Sequence, residues 1–198
     1  MHKITFQDLA VTPWKNGAGT TRQILIHPAD ATLDNFAFRI SAADINALGP
    51  FSHYPGINRS LAVLNGQGLT LTMADGNTAR FTPKHTVVDF DGGQPPHTRA
   101  YQEPILDIGV MSRSEAYRHS FVYQNYAPGQ VQQAQGAHSL LFSLHDQPLT
   151  LHCGGQHWVL APFDAFYFDH SAPFHLDGDA ATANLPFFVA HFEPVGQK

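Results

Sequence analysis

The chain has 198 residues, 43% of them hydrophobic and 14% charged, with a formal net charge of −5. It is long enough to bury one sizeable core or two smaller ones, and too apolar for a disordered chain. The negative balance argues against broad binding to nucleic acid or to acidic membrane surfaces. Fifteen phenylalanines and six tyrosines favour strands over helices, and 16 glycines with 14 prolines promise many turns. The one cysteine, Cys153, excludes an intrachain disulfide and a multi-cysteine zinc site, and suits a reducing compartment. The opening residues, MHKITFQDLAVTPW, lack the basic start and apolar run of a secretion signal, and no stretch reaches transmembrane length. The expectation is a soluble, cytoplasmic protein. Nine of the eleven basic residues fall within 1–113, so a small anion is expected to bind the first half.

Residues 1–9 read as a short strand or turn, with Ile4 and Phe6 in phase. Asn16-Gly17 and Gly19 predict a tight exposed loop, followed by a strand over 20–27. The loop is not a phosphate loop, because no Gly-Lys-Ser/Thr ending and no helical pattern follow it. Residues 36–42 alternate, with Phe36, Phe38 and Ile40 opposite Ala37, Arg39 and Ser41. The stretch 43–48 reads as a connection with room for one helical turn. A turn over 49–56, GPFSHYPG, leads to an apolar strand at 60–64 that ends in the hairpin dipeptide Asn65-Gly66. Alternation there puts Arg59, Leu61 and Val63 on one face. An arginine in phase with apolar residues at the mouth of a strand points to an anion pocket inside a barrel.

Strands follow at 69–73, 79–81, 85–90 and 105–111. Residues 112–137 are weakly patterned, with a helical turn at 114–118 and a Gln- and Gly-rich loop or edge strand after it. Strands at 139–144, 148–153, 157–161, 165–169 and 186–192 complete the chain. No segment sustains helical periodicity, and turn signals recur at roughly the 8–12-residue spacing of a sandwich or barrel. The halves also resemble each other. Gln-x-Leu-Thr-Leu stands at 67–71 and again at 147–151, and Pro83 and Pro162 follow equivalent strands. This predicts a duplicated β unit, with a ligand-carrying barrel over 1–113 and a degenerate one over 114–198. In that alignment Arg59 corresponds to Ser139 and His53 to Gln133, so one functional pocket is expected rather than two.

The double-barrel pattern, with GPFSHYPG, a strand and Asn65-Gly66-Gln67-Gly68, resembles a cupin. Metal-binding cupins place two histidines and a glutamate near this strand. Here Arg59 stands near the glutamate position and only His53 approximates the histidines. A cation there repels a divalent ion and leaves the space to an anion, so neither metal nor cofactor is expected.

More specific motifs resemble the HutD/Ves family of bicupin proteins. They are Pro13-Trp14-Lys15-Asn16-Gly17-x-Gly19-x-Thr21-Arg22, then Phe38-Arg39-Ile40-Ser41-x-Ala43, then Gly49-Pro50-Phe51-Ser52-x-Tyr54-Pro55-Gly56-x-x-Arg59, running on into Leu64-x-Gly66-x-Gly68. A later family pattern, Asp-Phe-Asn-x-Met, is partly met by 107–111, with Gly109 in place of the asparagine. The resemblance implies an all-β bicupin without metal, associated with histidine utilisation. It further implies a small acidic ligand, N-formylglutamate or a related intermediate, in a limiting or sensing role rather than turnover.

From the residues themselves, Arg22, Arg39 and Arg59 can each fork onto a carboxylate. Ser41, Ser52 and His53 can add hydrogen bonds, and Asn16 or Thr21 can close the site. The bland alternative pairs these arginines with Asp44, Asp89 or Asp107 as braces. Trp14 reads as a packing anchor, Cys153 as inert, and His85, His152 and His191 as core histidines. Competing functions are a metal-independent hydrolase or isomerase of small acids, with His53 as base and Arg39 or Arg59 stabilising charge, and a metal-dependent cupin oxygenase. The expected partner is a small carboxylate metabolite, not nucleic acid or membrane, and a homodimer is left open.

Overall fold

In the computed structural model, residues 1–46, 49, 51–81, 86–100, 104–179 and 183–196 are described. Their strands are β1 (His2–Ile4), β2 (Val11–Pro13), β3 (Gly19–His27), β4 (Phe38–Ile45), β5 (Ile57–Asn65), β6 (Leu69–Thr72), β7 (Thr78–Phe81), β8 (Val87–Asp91) and β9 (His97–Ala100). Then come β10 (Ile105–Arg113), β11 (Tyr117–Tyr126), β12 (Gln132–Gln133), β13 (His138–Ser143), β14 (Leu149–Cys153), β15 (Gln156–Leu160), β16 (Ala165–Phe168), β17 (Pro173–Asp177) and β18 (Leu185–Pro194). Among the described residues the only helix is one 3-10 turn, Phe6–Asp8, and none is long and apolar enough to cross a membrane. His85, one of the three histidines assigned to the core, lies outside the described residues.

The chain forms two compact units, Leu9–Arg118, and Met1–Asp8 together with His119–Lys198. In the first, a six-stranded sheet runs β2-β3-β4-β10-β5-β8 and a three-stranded sheet β7-β6-β9. In the second, a five-stranded sheet runs β1-β16-β13-β18-β11 and a four-stranded sheet β12-β17-β14-β15. Two antiparallel sheets enclosing an apolar core in each unit make an all-β, bicupin-type architecture. Leu61, Val63, Leu69, Leu71, Phe81 and Ile105 fill the first interior. Leu141, Leu151, Phe166, Phe168, Phe174 and Phe187 are among those that fill the second.

The duplication is written in the strand registers. Arg59 faces Met111 across β5 and β10, and Ser139 faces His191 across β13 and β18, a displacement of 80 on both strands. Leu69 opposite Phe81 recurs as Leu149 opposite Leu160, at displacements of 80 and 79.

Several stretches depart from the sequence expectations, among them the short strands β2 and β9, where no strand is expected. Residues 43–45 continue β4 instead of turning, because Ala43, Asp44 and Ile45 pair with both β3 and β10. Ladder partners on two sides override the helix preference of an alanine-rich run. The weakly patterned segment holds the ten-residue strand β11. It is the last strand of its sheet and carries polar residues on much of its length, which blurs the alternation. β17 opens on Pro173, a residue that argues against a strand except at its first position.

Candidate functional site

The inner face of the six-stranded sheet is laid out by cross-strand register. One row runs Arg39, Met111, Arg59, Phe90 across β4, β10, β5 and β8. The next runs Gln23, Ser41, Gly109, Leu61, and the third Thr21, Ala43, Asp107, Val63. Directly opposed residues in antiparallel strands point to the same face, and Leu61 and Val63 fix that face as the barrel interior. Ser41, Ala43 and Gly109 are only half-buried although they lie on central strands, so solvent reaches the floor of this face. A Cβ built on Gly109 would meet nothing closer than 3.8 Å. The glycine leaves a shallow cleft, with the place of a side chain in ordinary contact with Leu61 Cδ1 and the Ser60 carbonyl.

Two guanidinium groups flank this cleft, both opposite Met111 and hence two interstrand spacings, about 9.5 Å, apart at the backbone. Arg59 is held among aromatic rings, its guanidinium carbon 4.9 Å from the centre of Phe51, 5.0 Å from Phe90 and 5.8 Å from Tyr54. Its Nη1 donates to the Ser52 carbonyl at 3.2 Å. Arg39 donates from Nε to Gln23 Oε1 at 3.1 Å. Neither arginine has a carboxylate in ion-pair range among the described residues. Burial pulls both guanidinium groups down from their ordinary value. At Arg59, Asp107 and Tyr54 pull the other way, while Arg39 adds to the lowering.

Below the arginines lies Asp107, 4% exposed. Burial pushes its carboxyl up to about 7; Arg59 and the backbone N–H of Ala43 oppose that rise and Asp44 adds to it. At neutral pH the cleft therefore holds two fixed cations and one carboxyl that is partly protonated. That arrangement attracts an anion, and the protonated carboxyl is an additional donor.

The turn over 51–56 is locked over the end of β8. Tyr54 N–H donates to the Gly92 carbonyl at 2.7 Å and Gly92 N–H to the Ile57 carbonyl at 2.8 Å. Only glycine fits there, since a Cβ on Gly92 would lie 2.7 Å from the Tyr54 carbonyl oxygen. This lock places Ser52 and His53 beside Arg59, both exposed, with His53 Nε2 3.0 Å from the Gly93 carbonyl. Thr21 shares the row of Asp107 and accepts a hydrogen bond from Trp14 Nε1 at 2.7 Å, so Trp14 anchors the loop. Asn16 is exposed in the β2–β3 turn, where its Oδ1 accepts from the Ala18 N–H at 3.1 Å.

The structure thus brings Arg39, Ser41, Arg59 and Thr21 onto one face, with Ser52 and His53 on the turn beside Arg59. Arg22 stands elsewhere. It opposes Ala42, on the other face of β3, and pairs with Asp44 at 2.7 Å. Asp89 accepts a hydrogen bond from Ser60. Asp107, Tyr54 and the ring pair Phe51 and Phe90 were not among the expected site residues. The signal for Asp107 was present: an aspartate in phase within the apolar run ILDIGVM, opening the partly met family pattern.

In the second unit the place of Arg59 is taken by Ser139, which shares a hydrogen bond with His191 Nδ1 at 3.1 Å. A cavity of about 360 Å³ there is lined by Gln124, Tyr126, Gln133, Gln135 and His191. Burial pulls the His191 imidazole down from its ordinary value. Among the described residues no arginine or lysine lines it.

Residues 6–185 match the HutD family model. An uncharacterized 21.2 kDa protein in the hutC 3′ region of Pseudomonas putida is 33% identical over 112 residues, 57% of this chain. The match spans 58% of the length of that curated relative. A conserved protein of unknown function from Pseudomonas aeruginosa PAO1 superposes with a TM-score of 0.82 at 22% identity, over 98% of this chain and 99% of its own. HutD from Pseudomonas fluorescens SBW25, in a formate condition, superposes with a TM-score of 0.79 at 24% identity, over 98% and 99%. Those two likenesses establish the fold, and the family match runs through both units. The chain belongs to the HutD family.

Proposed function

We propose that this protein binds a small carboxylate in the cleft of the Leu9–Arg118 unit, without a metal, as a sensing or regulatory component of histidine utilisation. N-formylglutamate is the favoured ligand. The observation that carries this reading is the pair of guanidinium groups on one inner face, neither matched by a carboxylate of the described chain. Arg39 and Arg59 grip the ligand carboxylate, Ser41 and Thr21 hydrogen-bond its polar body, and Ser52, His53 and Asn16 border the entrance. Arg22, committed to Asp44 on the other face, is left out of the set. The biological setting comes from relatives: the HutD family itself, and the P. putida protein described in the hutC 3′ region.

A second reading is turnover of a small acidic metabolite. Asp107 favours it, since a carboxyl at about 7 beside the Arg59 guanidinium can give or take a proton at neutral pH.

Calorimetric titration with N-formylglutamate, urocanate, glutamate and formate tests the binding reading, on wild type, Arg59→Met and Arg22→Met. Saturable binding lost in Arg59→Met and kept in Arg22→Met is the expected outcome. Binding that ignores Arg59→Met, or no binding to any of the four, refutes it. Proton NMR of each mixture over a day separates sensing from turnover, which would show product signals.

A further inference from the structure

We infer that the second unit carries a divalent transition-metal site on the outer face of its four-stranded sheet, formed by His152, His175 and Asp177. The register builds it. His152 on β14 faces His157 on β15 and His175 on β17, so three imidazoles lie in one row across three adjacent strands. Alternation sends Leu151, Cys153, Phe174 and Leu176 into the core, and the histidines and Asp177 outward.

The rings of His152 and His175 stack at 4.4 Å between centres and 3° between planes, and His157 lies 5.9 Å from His152. Asp177, two residues beyond His175 on the same face, sets Oδ2 3.0 Å from His152 Nε2 and 4.0 Å from His175 Nε2. The donor atoms of His152, His175 and Asp177 all lie within 4.8 Å of one another. The four-stranded face is hollowed beside them, in a depression of about 340 Å³ that His152, Gly154, Gly155, His157 and His175 help to line.

An ordinary ion pair accounts for His152 and Asp177 alone. It does not account for a second imidazole stacked face to face on the first and sharing the same carboxylate oxygen. Two protonated rings so placed repel each other, whereas two neutral rings and a carboxylate are a ligand set. Ligand bonds of about 2.0–2.2 Å to a tetrahedral ion put donors roughly 3.4 Å apart. The observed donors bracket that spacing, and partly exposed side chains reach it by small rotations. Imidazole donors select ions of the zinc, nickel and copper class over magnesium or calcium. A water or His157 completes the coordination.

The site is separate from the anion cleft, on the other unit and on an outer face. Hence it stands whether or not the cleft binds a carboxylate.

The test is calorimetric titration of chelator-stripped full-length protein with Zn²⁺ in a non-coordinating buffer at pH 7.5. One ion per chain is expected, with affinity falling at least about thirtyfold in His152→Asn and about tenfold or more in Asp177→Asn. Lowering the pH to about 5.5 weakens binding through proton competition. Unchanged circular dichroism of the variants excludes misfolding. Histidine ring resonances in NMR identify the ligands directly, those of His152 and His175 shifting first and saturating together. Absence of stoichiometric binding overturns the inference, as does binding that His152→Asn leaves intact or a first shift at other histidines.

Discussion

Asp107→Asn is the most informative perturbation of the cleft. The Asp107 carboxyl moves from an ordinary 3.8 to about 7 in the folded protein, chiefly through burial. The folded state then binds a proton more tightly than the unfolded chain, so stability contributed by the neutral acid is fully present below about 3.8 and is lost as pH rises towards 7. At 1.36 kcal/mol per pH unit, that gap corresponds to roughly 4 kcal/mol. Asparagine keeps an oxygen to accept the Ala43 N–H and carries no charge to desolvate. The stability of Asp107→Asn relative to wild type should therefore increase by roughly 4 kcal/mol between pH 4 and pH 8. Urea unfolding measures this. Trp14 and Trp158 lie in different units, so a Trp158→Phe background makes Trp14 the fluorescence reporter of the Leu9–Arg118 unit. Parallel pH profiles for the two proteins would refute the burial argument. A difference that shrinks with pH would mean that attraction to Arg59 outweighs desolvation.

Gly109→Val puts a branched side chain on the floor of the cleft, where a Cβ sits in ordinary contact 3.8 Å from Leu61 Cδ1 without overlap. Calorimetry should show carboxylate affinity reduced at least about tenfold, while the urea midpoint moves by less than the equivalent of about 1 kcal/mol. Lys3→Met removes the ammonium 2.8 Å from Asp164, a carboxylate only 1% exposed. The N–H groups of Phe6 and Ala161 still bond that carboxylate, but the charge is left buried without its cation. Destabilisation of about 3 kcal/mol is expected, read from Trp158 in a Trp14→Phe background. A loss below about 1 kcal/mol would mean that the two backbone donors suffice.

How much of this was legible in the sequence depended on whether the signal was local. The alternation of Phe38 to Ser41 and of Arg59 to Val63 exposed the inner face, because period two is a property of one strand. The 80-residue echo of Gln-x-Leu-Thr-Leu exposed the duplication for the same reason. Arg22 shows the limit. Its strand was recognised, but the face it takes is set by pairing with Ala42 on another strand. Asp107 was visible as an anomaly in an apolar run, yet its closeness to Arg59 exists only through the β5–β10 register. The histidines of the outer face were hidden most completely. His152 and His175 are 23 positions apart with no motif spacing, and the reading of His152 as a core residue took its apolar neighbours for its surroundings. In the structure it is half-buried on the opposite side of the strand from them.

The pairing of β1 with β16 has a consequence for the order in which the molecule is made. Ile4 meets Ala165, so along the chain the Leu9–Arg118 unit is inserted between the first strand of the other unit and the rest of its strands. During synthesis at about 5–20 residues per second, every strand of the inserted unit leaves the ribosome before β16 does. The inserted unit can close while β1 still waits. Three residues offer too short an edge to recruit a foreign strand in the meantime. Lys3 finds Asp164 only after the residues around β16 have been made, so that ion pair ties together two segments that flank the inserted unit in the chain.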